Sequence, residues 1–280
     1  RIRQRPGKKP LPQSLPFNTW PHQDTALRAM ASEECGLGIM DVGVIKSRGE
    51  GASWMAVMKA LYAIIFKKDQ EIGMARSSLP KTDTYGDRRS LFGKIDWSLT
   101  MLPAWMVGDA RMLNETDETD DWIRNKSKHL LKYKPNNSII VGVASTKRTG
   151  RGGRYTWFFL DELAEWDFQE AHQMIESLQQ SVESRLVVST PDGPLGAYAE
   201  FVHEASAQRT DIKLMWWENP TRNRGLYRMT GRSTCEAVNP DTNPLLSHYD
   251  PPNDKVKELW DRLRSKEFAM DGLRSEWYDI

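Results

Sequence analysis

The chain has 280 residues, 39% of them hydrophobic, and a formal net charge of +1, enough for one large α/β domain or two small ones around a sizeable core. Near-neutrality excludes a uniformly basic nucleic-acid binder, so any DNA-contacting surface has to come from locally segregated charge. The two cysteines, Cys35 and Cys235, exclude a disulfide scaffold or thiolate metal site and fit a reducing cytoplasm, and no apolar run is long enough for a bilayer.

The chain opens on a basic, proline-interrupted arm over residues 1–14, with none of the apolar stretch that a secretion signal needs. Strand-like apolar runs follow at 38–44, 71–75, 138–144, 155–160, 185–189 and 212–217. Their alternation with helical patterns predicts a mostly parallel sheet flanked by helices. The clearest helix starts near Ser53, where Trp54, Val57, Met58, Leu61 and Ile65 share one face. Residues 114–121 crowd five acids without apolar neighbours and read as an exposed loop. Residues 231–254 read as irregular, and Val256, Leu259, Trp260 and Leu263 restore helical spacing.

Chemistry concentrates at two places. Lys46, Ser47, Arg48, Gly49, Glu50, Gly51, Ala52 and Ser53 lie between an apolar strand and the amphipathic helix. Glycines there let successive N–H groups converge on phosphate oxygens, and a hydroxyl in the first helical turn can ligate Mg²⁺. The usual lysine before the hydroxyl is replaced by Ala52, so Lys46 or Arg48 has to supply the cation from the other end of the turn. Glu50 is expected to point outward, away from the phosphates.

The second place is the strand Tyr155-Thr156-Trp157-Phe158-Phe159-Leu160, which ends in Asp161 and Glu162. The first acid suits Mg²⁺, directly or through water, and the second suits orientation of a water attacking a γ-phosphate. Upstream, residues 147–154 form a glycine-rich cationic loop that suits DNA phosphates or an arginine finger reaching a neighbour's nucleotide. The histidines His22, His129, His172, His203 and His248 show no metal-ligand spacing.

In this order the segments resemble the large terminase family of tailed phages. The segment Leu15-Pro16-Phe17-Asn18-Thr19-Trp20-Pro21-His22-Gln23 is similar to the family's adenine-recognition motif, with Gln23 as its base reader. Residues 46–53 look like its deviant phosphate loop, and Ser90 to Ile95 with Leu102 to Trp105 like one of its helical segments. Tyr155 to Glu162 matches its Asp-Glu strand, and Val187 to Gly193 its coupling motif, with Ser189 and Thr190 as the switching hydroxyls.

The resemblance implies a P-loop NTPase of the ASCE type with ATP and Mg²⁺ as cofactors. It places the ATPase core at 15–220 and a lid or linker at 221–280, leading to a nuclease whose carboxylates these residues lack. Arg151 becomes the preferred finger, with Arg148 and Arg154 as alternatives. The implied setting is the host cytoplasm, as a homo-oligomeric ring, a pentamer, acting on double-stranded DNA with a portal protein and a small terminase subunit and without a membrane. A helicase-like ATPase and a non-hydrolysing assembly module are the rival readings.

Overall fold

The computed structural model describes residues 18–31, 41–144, 154–203, 209–219, 227–229, 235–237 and 273–274. The chain divides into a larger unit built around Gln23–Leu214 and a smaller one around Met215–Ile280.

In chain order the larger unit takes residues from α1 (Pro21–Met30), then β1 (Asp41–Lys46), α2 (Ala52–Phe66), β2 (Glu71–Ala75), α3 (Leu79–Thr82), α4 (Leu91–Met101) and α5 (Ala104–Val107). It continues with β3 (Trp122–Asn125), β4 (Leu130–Tyr133), β5 (Ser138–Val143), β6 (Tyr155–Asp161), α6 (Phe168–Leu178), β7 (Val182–Ser189), α7 (Ala197–His203) and β8 (Arg209–Leu214). The described strands form one sheet in the order β3-β4-β5-β2-β6-β7-β1-β8. The six from β5 to β8 in that order run parallel, and β3 and β4 extend the sheet as an antiparallel hairpin. The expected α/β fold with a mostly parallel sheet is therefore what the sequence builds. In the smaller unit, β9 (Tyr227–Met229) pairs antiparallel with both β10 (Cys235–Ala237) and β11 (Leu273–Arg274).

Strand periodicity decides which residues meet which helices. Along β6, Trp157 and Phe159 join a core with α1, α2 and α4, whereas Phe158 and Leu160 join a second core with α6 and α7. Helix α2 is apolar nearly all round, and its small residues Ala56, Ala60 and Ala63 are buried with Met55, Val57, Leu61 and Ile64. Of the five residues expected to share one face, Val57 and Leu61 are buried and Trp54, Met58 and Ile65 partly buried, so the apolar surface is wider than that face. A central helix covered by sheet and neighbours has no need of a polar face. Gly73 of β2 lies under the Phe158 ring, where an added Cβ would come 2.1 Å from a ring carbon.

Two strand expectations are corrected. The first strand runs on through Lys46 rather than stopping at Val44. The run expected at 212–217 ends as a strand at Leu214, where Thr210, Ile212 and Leu214 alternate with solvent-side residues, and residues 216–218 form a 3-10 turn. Trp216 is buried and Trp217 half-buried, packed edge to face within that turn rather than on opposite sides of a strand. The acids at 114–121 lie in a largely exposed loop, and no His/Cys/Asp/Glu group suited to a metal occurs among the described residues. The expected helix at 256–263 and the irregular stretch at 231–254 fall mostly or wholly outside the described residues.

The β3–β4 hairpin is bolted to the helices by a fully buried arginine. Arg124 Nη2 donates to Asp83 Oδ1 at 2.7 Å and Nε to Asp96 Oδ1 at 2.9 Å, and the guanidinium lies 4.5 Å from the Phe92 ring centre. His129 Nδ1 stands 3.0 Å from Asp83 Oδ2. Removing one partner of a buried ion pair strands the others, so Arg124→Leu is expected to lower the unfolding free energy by about 3–5 kcal/mol. Urea denaturation checks this, and a midpoint shift worth less than about 1 kcal/mol would show that the network contributes little.

Candidate functional site

The parallel register brings three strand ends level. Ile45 lies opposite Ser189 and Asp161 opposite Val188, so Lys46, Glu162 and Thr190 emerge together at the carboxyl edge, where open α/β sheets hold their ligands. Lys46 is 5% exposed; its Nζ donates to Glu162 Oε1 and to Thr190 Oγ1, each at 2.9 Å. Of the two candidate cations, Lys46 is paired with the second acid, Glu162, and Arg48 is exposed on the turn.

The turn from Ser47 to Gly51 depends on backbone that glycine adopts readily. Gly49 has φ of 83° and Gly51 of 75°, and Gly51 caps α2 in the left-handed conformation. That geometry starts the helix so that Ser53, in its first turn, donates from Oγ to Asp161 Oδ1 at 2.9 Å. The phosphate-turn candidate and the acidic strand end thus meet in one place. Glu50 corrects expectation: it is fully buried, and its carbonyl accepts from Gln23 Nε2 at 3.0 Å. The side-chain amide of Gln23, itself buried, ties α1 to the turn. Ala52 is buried at the start of α2.

Asp161 is completely buried, and burial pushes its carboxyl above the usual carboxylate range, opposed by Arg76 and the Ser53 hydroxyl. Its Oδ2 makes no hydrogen bond, although Arg76 Nε lies 3.1 Å away as an ion pair. An alcohol and a buried carboxylate with an unsatisfied oxygen form the hard oxygen donor set that Mg²⁺ prefers, so these residues fit the ion. Glu162 adopts a left-handed φ of 55°, rare for a side chain of its size. This turn carries the carboxylate across to Lys46, and Thr190 N–H approaches its Oε2 at 3.4 Å.

The two hydroxyls expected to act in coupling lie at the same strand ends. Ser189 Oγ accepts from Ala164 N–H at 3.0 Å, just beyond Glu162, and Thr190 Oγ1 accepts from Lys46. Tyr198 of α7 donates its buried hydroxyl to the carbonyls of Val44 at 2.9 Å and Ser189 at 3.3 Å, and burial raises its phenol above its ordinary value. Arg148 and Arg151 lie outside the described residues, and Arg154 is exposed at the start of β6.

Sequence reasoning missed Arg76, Lys94 and Tyr198. Arg76 follows β2, the strand beside β6, and Lys94 on α4 is 8% exposed, with burial lowering its ammonium to about 8. The only signal for Arg76 was a cation directly after an apolar strand, and nothing in the sequence revealed which strand β2 neighbours.

Among solved structures, the large terminase of bacteriophage HK97 superposes with a TM-score of 0.54 at 12% identity over 94% of this chain and 51% of its own length, so the chain spans about half of that protein. The large terminase ATPase domain of Thermus phage P74-26 gives 0.46 at 14% identity over 65% of this chain and 79% of that one. A large terminase of a thermophilic bacteriophage in complex with ADP gives 0.47 at 14% over 67% and 44%. No curated protein matches in sequence. Residues 44–251, well over half of the chain, match the model of the N-terminal part of the T4-like-virus type of terminase large subunit, and the chain belongs to this family of viral DNA-packaging motors.

Proposed function

We propose that the chain is the Mg-ATP-hydrolysing part of the motor that drives double-stranded DNA into a procapsid. The observation that carries the reading is the convergence at the carboxyl edge of the sheet of two hydrogen-bonded groups, Lys46 with Glu162 and Thr190 and Ser53 with Asp161, joined through the consecutive acids 161 and 162. Lys46 neutralises the phosphates, assisted by the N–H groups of residues 47–53, and Gln23 stands where the base is read. Ser53 and Asp161 would hold Mg²⁺, which when bound offsets phosphate charge.

Glu162 is engaged by Lys46. A triphosphate competes for that ammonium and so frees the glutamate to orient and polarise the attacking water. Ser189 and Thr190 bond to the segments that carry this exchange, which suits them to convey phosphate state into subdomain movement. Residues 15–220 act as the ATPase core and 221–280 as a lid or linker. Arg151 of a neighbour in a homo-oligomeric ring, a pentamer, completes the site. Portal protein and small terminase subunit are the remaining partners, with the host cytoplasm as the setting. Among the described residues no helix is long and apolar enough to cross a membrane.

Binding of a fluorescent ATP analogue and phosphate release, each measured with and without duplex DNA and Mg²⁺, test the proposal. Saturable, Mg²⁺-dependent binding with DNA-stimulated release is the expected result. A folded chain that neither binds nor turns over ATP across a concentration range that permits assembly would instead be an inert assembly module. Strand separation of the duplex would favour the helicase-like reading.

A further inference from the structure

Beside the network just described stand two more cations to which the reaction gives no task. Arg76 Nε faces Asp161 Oδ2 at 3.1 Å without hydrogen-bond alignment, and both atoms are buried without a hydrogen-bond partner. Buried polar atoms left so are uncommon, and a pair of them marks a contact that another ligand can take over. The opposite end of the same guanidinium is anchored: Nη1 donates to the carbonyl of Arg89 at 3.2 Å. Lys94 Nζ donates to that carbonyl as well, at 3.0 Å. One backbone oxygen therefore joins the cation on Asp161 to the turn between α3 and α4.

That turn is suspended at both ends. Asp83 is clamped by Arg124 and His129, while Ser90 caps α4 and bonds back to the carbonyls of Thr84 and Asp87. Between them Arg88 and Arg89 are exposed. A guanidinium held at one end by a carboxylate and at the other by this turn transmits any change at the carboxylate.

We propose that Arg76 is a positioning residue that holds Asp161 aligned with Ser53 in the nucleotide-free chain, and that its displacement by the magnesium–nucleotide complex loosens the 83–90 turn through the Arg89 carbonyl. The inference rests on the nucleotide site proposed above. Arg76 is in effect a placeholder for the metal. Its guanidinium occupies the carboxylate oxygen that a divalent ion would take, and its departure reports that arrival at the surface. The exchange is purely ionic and needs no other reactant.

The test combines two readouts on wild type, Arg76→Gln and Arg76→Lys, with thermal melting to establish folding. The first is the Mg²⁺ concentration that half-saturates binding of a fluorescent ATP analogue. Relieved of a competing cation, Arg76→Gln is expected to need at least about fivefold less Mg²⁺, because the buried carboxylate left without its ion-pair partner gains more from the divalent ion. The second is amide exchange across residues 84–90, expected to rise in wild type when Mg²⁺ and a slowly hydrolysed ATP analogue bind. In Arg76→Gln it is expected to be raised already without nucleotide.

Should the glutamine variant not fold, Arg76→Lys decides, because its single ammonium cannot reach both Asp161 and the Arg89 carbonyl. It is expected to retain an intermediate Mg²⁺ requirement and to lose the exchange response. Wild-type binding with an Mg²⁺ midpoint unmoved in the variants, or with no exchange response at 84–90, overturns this inference alone. Failure of the folded wild type to bind the analogue at any Mg²⁺ concentration overturns the nucleotide site and the inference with it.

Discussion

Glu162→Gln is expected to lower ATP turnover by about 10²–10⁴-fold, the usual contribution of a positioned general base, while leaving binding of the ATP analogue within a few-fold of wild type. The substitution keeps the side-chain shape, and the amide oxygen can still accept from Lys46 while only the long 3.4 Å bond from Thr190 N–H is lost, so the fold of the strand ends is retained. What disappears is the carboxylate that, under the proposed function, polarises the attacking water. Phosphate release and analogue titration, measured on the same preparation, separate the two effects. A variant that retained turnover within about tenfold of wild type would remove Glu162 from the chemistry and shift attention to another base.

Lys46→Ala strikes both ground state and transition state. Lys46 is the candidate phosphate cation whose ammonium is paired with Glu162, and its side chain is buried in a site where charge is weakly screened. Its removal is expected to reduce kcat/KM by about 10²–10³-fold, as for loss of one preorganised charge donor, and to weaken analogue binding as well. Arg48→Ala, altering an exposed residue, is expected to change both by less than about threefold. The reverse ranking would assign the phosphate cation to Arg48 and make Lys46 a structural partner of Glu162.

The sequence carries the sheet more plainly than the site. Strands such as Tyr155 to Leu160 are apolar through and through because helices cover both faces, and this property can be read without coordinates. The hairpin of β3 and β4 was not legible: its residues alternate with charges, and its inward cation Arg124 passes for a surface residue until Asp83 and Asp96 are seen around it. Likewise Trp216 and Trp217 prolong an apolar run past the true strand end, since hydrophobicity alone does not register where pairing with β1 stops.

Within the site, Lys46, Ser53, Asp161 and Glu162 were nameable because local spacing places a hydroxyl after a glycine turn and acids after a strand, whereas Thr190 was nameable only through the family resemblance of residues 187–193. Glu50 was misjudged because an acid beside phosphates suggests repulsion, whereas its backbone carbonyl serves Gln23 and the residue packs inward. Arg76 and Lys94 depend on which strands are adjacent, a property of long-range order that spacing along the chain does not encode.

Tyr198 bears on how force could leave such a machine. By hydrogen-bonding carbonyls of both β1 and β7 with one hydroxyl, it resists slippage between those strands beside Lys46 and Thr190. A perturbation there has a stiff backing on the sheet side and a compliant outlet ahead, in the segment after Thr190 where Gly193 and Gly196 occupy left-handed backbone. A rearrangement of these strand ends is therefore expected to show first in residues 190–196 and last in the paired strands.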